Sequence, residues 1–133
     1  MKLEVIYLDN TAHRFRKILN QQIRWLETIL KPKGDIEIFV ISSHRMHRLN
    51  KQFLGKNRST NVLSFPKPKD FPGPKWGEIF LDPVYIQRHQ EDLSLMLVHG
   101  ILHVLGYDHK TKRDRIKMEK REQSLLKGLK HVS

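Results

Sequence analysis

Residues 99–109 read HGILHVLGYDH, and the rest of the chain has to fold around what those eleven residues require. His99 and His103 are four apart, so on a helix they stand one turn above each other on the same face. Gly106 follows three residues later, where a helix commonly ends on a left-handed residue, and the reversal carries His109 back towards the same point. One helix and its exit turn thus offer three imidazoles to a single zinc ion. A lone histidine among Leu95, Leu97, Val98, Ile101, Leu102, Val104 and Leu105 would read as a packed core residue. Three at this spacing, closed by a glycine, read as a metal cage made of His99, His103 and His109.

The HxxxHxxGxxH spacing is the one metzincin peptidases use for zinc, with one substitution. The position after the first histidine, which there holds the water-activating glutamate, is Gly100 here. The cage is kept and the peptidase base is missing.

The distribution of charge says which substrate such a site would meet. The net charge is +11, yet residues 76–109 carry one Arg against five Asp/Glu. Residues 44–75 carry eight Lys/Arg against one acidic residue, and residues 110–130 carry nine against three. A mildly acidic histidine segment is therefore bracketed by two basic ones, an arrangement suited to a polyanion held across a metal centre. Basic charge alone would mean no more than a solvated surface; joined to a hydrolytic metal motif, it favours nucleic acid over peptide.

At 133 residues the chain suits one domain with one core, spanning residues 1–133. No stretch approaches the roughly 20 apolar residues of a membrane span, and the N-terminus lacks the pattern of a secretion signal. With no cysteine there can be no disulfide, so the cytoplasm is the expected compartment.

Taken in order, residues 3–8 and 35–41 predict strands, the second apolar enough to lie inside a sheet. Between them, Asn10 or Thr11 caps a helix with apolar positions from Phe15 to Ile29, ending near Lys31-Pro32-Lys33-Gly34. Ser42 or Ser43 caps the next, where Met46, Leu49 and Phe53 form one stripe while Arg45, Arg48 and Lys51 face out. A polar loop, GKNRSTN, leads to a short strand in VLSF. Residues 66–76 hold four of the six prolines and predict a surface loop placed to serve as a substrate-binding flap. GEIFL at 77–81 is a fourth strand, and Asp82-Pro83 a helix start. Residues 84–90 are ambiguous; 91–105 form the buried histidine helix, and Thr111 opens a last helix with Met118, Glu122, Leu125, Leu126 and Leu129 on one side. Four strands interleaved with helices imply an α+β domain, a mixed four-stranded sheet packed with helices.

HGILHVLGYDH, preceded by STNVLSFP at 59–66 and GEIFL at 77–81, resembles the YbeY family of bacterial metal-dependent endoribonucleases, which act in ribosomal RNA maturation and ribosome quality control. The likeness runs from about Ile36 to Leu129. It implies a zinc-hydrolase-like fold with the histidine helix at its centre and one zinc per chain. It also implies activity on single-stranded or ribosomal RNA, with the ribosome as partner and no role for DNA or membrane.

One position departs from that family. Its members usually carry an arginine just before the Gly-Lys of the loop ahead of the third strand, and Leu54 stands there, within FLGKN. Arg58 is the nearest residue to take over its catalytic charge, with Lys56 second as a substrate contact, and both also read as ordinary solvated cations. Asp108 suits a histidine's second N–H or a proton-accepting role, and equally a turn cap. Asn61 and Ser64 offer hydrogen bonds to phosphate or base, and equally a structural role at the strand start. Two other readings stay open: a metallopeptidase, against which Gly100 counts, and a non-catalytic RNA-binding factor with structural zinc, which Leu54 keeps in play.

Overall fold

Alternation along the second strand decides the layers. In β2 (Ile36–Val40), Ile36, Ile38 and Val40 are buried on one face while Phe39 points to the other. Its parallel neighbour β4 (Gly77–Leu81) repeats the pattern, register for register, with Ile79 and Leu81 inward. β1 (Leu3–Tyr7) runs parallel along the far side of β2, and β3 (Val62–Pro66) runs antiparallel along β4, so the order is β1-β2-β4-β3. The mixed four-stranded sheet of an α+β domain is what the interleaved pattern predicts. The computed structural model describes residues 3–31, 34–68, 70–73 and 76–131, and leaves the side chains of Thr11 and Ala12 undescribed.

One face of the sheet carries α1 (Arg16–Leu30), α4 (Leu93–Val104) and α5 (Lys112–Leu129), whose Leu19, Ile23, Leu26, Leu97, Ile101, Met118 and Leu125 join the strands' buried residues in one core. The other face carries α2 (Ser43–Leu54), which closes Met46 and Leu49 over Ile41, Leu63 and the stacked rings of Phe39 and Phe80. Side-chain caps fix the starts of α2, α4 and α5. Ser42 accepts the Arg45 N–H, Asp92 those of Ser94 and Leu95, and Thr111 that of Asp114. Asp82 accepts the Tyr85 N–H to open α3 (Pro83–Arg88), which settles the ambiguous stretch as a helix of under two turns.

Two local readings are corrected. The first helix does not begin as an α-helix at Asn10 or Thr11; residues Asn10–Phe15 form a 3-10 segment, and α1 starts at Arg16. Its end at Lys31 is left-handed, while the expected terminators Pro32 and Lys33 lie outside the described residues. Phe53 does not share the buried stripe of α2. It is 56% exposed near the end of the helix, with an edge-on contact to Phe65 on the edge strand β3.

Candidate metal centre

α4 is buried almost all round, with Leu97, Val98, Ile101, Leu102 and Val104 all covered, and this is possible because it lies directly over β3 and β4. The seam is closest at Gly100. A Cβ there would lie 3.1 Å from Ile79 Cγ2 and 3.2 Å from both Ser64 Oγ and Val62 Cγ2, and the Ser64 hydroxyl donates to the Gly100 carbonyl at 3.3 Å. The position that would carry a peptidase glutamate is therefore packed into the sheet.

His99 and His103 lie on the remaining, partly open face of α4. The helix stops at Val104, Gly106 takes φ 107°, and the chain turns back so that His109 joins them. Asp108 accepts the Lys110 N–H at 3.1 Å inside this turn. One ring nitrogen from each histidine lies within 4.8 Å of the other two, and the Nε2 atoms of His99 and His103 are 3.1 Å apart. Two ligands of a tetrahedral zinc at about 2.0–2.1 Å stand roughly 3.3 Å apart, so this pair already has the spacing of a coordination edge.

The electrostatics agree with a metal site. Burial, reinforced by the neighbouring His99 and His109 rings, holds His103 below the ordinary imidazole value of 6.5, and a backbone hydrogen bond at Tyr107 and the Glu122 carboxylate offset part of this. The neutral ring is the form that donates a lone pair to a metal. His99 is oriented from behind. Its Nδ1 lies 2.8 Å from Glu122 Oε2, which turns Nε2 towards the other two rings. Glu122 comes from α5 and is only 6% exposed. Sequence reading placed it on the helix's apolar side without a task; a carboxylate between Met118 and Leu125 on a buried stripe was the available signal.

A cleft of about 620 Å³ opens in front of these rings, lined by Asn61, Ser64, Leu95, Met96, His99, His103 and Glu122 among others. Two of the proposed substrate contacts thus border it. Asn61 is engaged within the fold, accepting the Val62 N–H and donating to Glu91 and to Met96 Sδ. Lys56 and Arg58 are exposed on the loop after α2 and are not part of that lining. The loop is held at Arg58 and Ser59, since Asn50 donates to the Arg58 carbonyl at 2.9 Å and Ser59 to Asp82 at 3.1 Å. Leu54, at the end of α2, is 51% exposed.

The family model for endoribonuclease YbeY matches residues 3–130. The chain belongs to the YbeY family. It is 39% identical over 108 residues to the endoribonuclease YbeY of Bartonella henselae, covering 72% of this chain and 68% of that one. The Bartonella bacilliformis relative of the same name is 37% identical over the same length and coverage. Among solved structures, the solution structure of TM1509 from Thermotoga maritima shares the fold, with a TM-score of 0.58 at 23% identity, over 96% of this chain and 91% of that one. Among the described residues no helix is long and apolar enough to cross a membrane.

Proposed function

We propose that this protein is a zinc-dependent endoribonuclease that cuts single-stranded RNA, with ribosomal RNA as its substrate, the ribosome as its partner and the cytoplasm as its place of work. The observation that carries this reading is the cluster of His99, His103 and His109 beside Gly100, a glycine packed against the sheet where a peptidase would need its carboxylate. Membership of the YbeY family and the two basic segments supply the substrate class.

The three histidines would hold the ion, each as a neutral ring. Bound there, zinc supplies a Lewis acid for a phosphoryl oxygen and an activated water at its open position. The chain's own residues do the rest. Glu122 fixes the His99 ring, and Asp108 shapes the turn that delivers His109 and is the carboxylate nearest in sequence to take a proton. Asn61 and Ser64 border the cleft where phosphate or base would lie. Arg58 brings a guanidinium able to grip phosphate through two donors, with Lys56 as a second cation, in place of the arginine lost at Leu54.

Metal-loaded, chelated and zinc-restored protein should be offered single-stranded RNA and casein in parallel. Cleavage of RNA alone, abolished by chelation and returned by zinc, is the expected result. Casein turnover would make the protein a peptidase, and salt-sensitive RNA binding without any cleavage would make it a binding factor. Across a salt titration, log affinity for single-stranded RNA should fall linearly with log salt at about −0.7 per phosphate neutralised.

A further inference from the structure

His103 and Pro66 border two clefts, the one described above and a second of about 550 Å³, walled by Lys67, Pro68, Phe71 and Gly73 and by the turn after α4. We propose that this second cleft is a nucleotide subsite, in which an unpaired base of the RNA stacks on Phe71. The inference rests on the ribonuclease reading and adds where the strand goes. A phosphodiester held at the histidines has a nucleotide on each side, and two clefts meeting at a metal ligand provide one place for each. The second is within the range of about 300–1,000 Å³ usual for small-ligand sites.

Phe71 makes two contacts within its loop. Its N–H donates to the Pro68 carbonyl at 3.1 Å, and Trp76 meets the ring edge-on, with centroids 6.3 Å apart at 71°. The loop is closed at its root by the Lys67 N–H to the Trp76 carbonyl at 2.8 Å, a continuation of the β3–β4 ladder, and by Lys67 Nζ to the Gly73 carbonyl. Even so, Phe71 stays 58% exposed and borders the cleft that reaches His103. Exposed Lys110 stands on the opposite wall, where a phosphate of the same strand would find it. An exposed aromatic face across from a cation is the combination that binds single strands, because every base has a π-face and only an unpaired one can present it.

The test uses a labelled single-stranded RNA with phosphorothioate linkages, which hold off turnover, and fluorescence anisotropy on the full, zinc-loaded chain. Phe71→Ala should weaken binding about tenfold, the usual worth of one stacked base, while Phe71→Trp should retain it. An abasic sugar walked along the RNA should reveal one register at which the wild type loses the same factor and Phe71→Ala loses nothing more. Native affinity in Phe71→Ala, or an abasic penalty that adds to the mutation at every register, would overturn the stacking assignment while leaving the ribonuclease reading in place. A wild type that binds no RNA at all would remove both. Because Phe71 is largely exposed, its truncation leaves the core untouched.

Discussion

The Nδ1 of His99 and a carboxylate oxygen of Glu122 lie 2.8 Å apart, although 23 positions separate the residues. α5 therefore reaches across α4 and sets the orientation of a ring on its neighbour's open face. The last helix, whose surface is largely basic, contributes a single buried acid at the place where an imidazole has to be held still.

Glu122→Gln keeps the shape of that contact and removes its charge. Metal affinity should fall by about 10–100-fold, the usual effect of losing a carboxylate behind a metal-bound histidine, while the far-ultraviolet circular dichroism stays native. Competition against a chromogenic chelator measures it. Unchanged affinity would reduce Glu122 to a packing role.

Each of His99→Ala, His103→Ala and His109→Ala should lower bound zinc below one per chain, since two ligands and water hold zinc poorly. Elemental analysis of the purified variants decides the matter. Full zinc retention in all three would disprove the cage.

Arg58→Ala should slow RNA cleavage about a hundredfold or more with zinc content and fold unchanged, the scale expected when a cation near developing phosphate charge is lost. Leu54→Arg should restore part of the rate in that background. Single-turnover kinetics are the measurement, and a wild-type rate in Arg58→Ala would exclude the replacement.

Asp9 ties the end of β1 to the start of α2, accepting the Ser42 N–H at 2.9 Å and two donors of Arg45 at 3.0 and 3.3 Å. The Arg45 hydrogen bonds hold its carboxyl below the ordinary 3.8. A depressed acid stabilises the fold above its unfolded value, and that contribution is lost as pH falls through the folded one. Asp9→Asn should therefore melt a few degrees below wild type at neutral pH, and the gap should close as pH drops below 3.8. Melting curves across that range check the sign; a gap that persists in acid would mean that the charge is not its source.

The parts legible in the sequence were those set by short-range periodicity. Short runs of apolar, branched and aromatic residues marked the strands, and the spacing of His99, His103, Gly106 and His109 marked the metal cluster, because a helix and its exit turn fix those positions locally. What escaped depended on packing between distant elements. Nothing near Glu122 names His99 as its partner; only the crossing of α4 and α5 brings them together. Phe53 continues the spacing of Met46 and Leu49, yet it meets only the edge strand, through Phe65, and strand order is not written in local spacing. The 3-10 start at Asn10 left no mark in the apolar pattern, since its side chains lie mostly at the surface.

The closeness of Gly100 to β3 and β4 also bears on what this chain could become. Giving it a glutamate would add the one group a metzincin-like site lacks, but even the first carbon of that side chain meets Ile79, Ser64 and Val62 at 3.1–3.2 Å. A larger residue would need Ile79, Ser64 and Val62 to give way by a few tenths of an ångström, on the same helix that presents His99 and His103. New chemistry at this centre is therefore easier to reach from the loops at its rim than from the helix that forms its floor, where any added side chain starts in contact with the sheet.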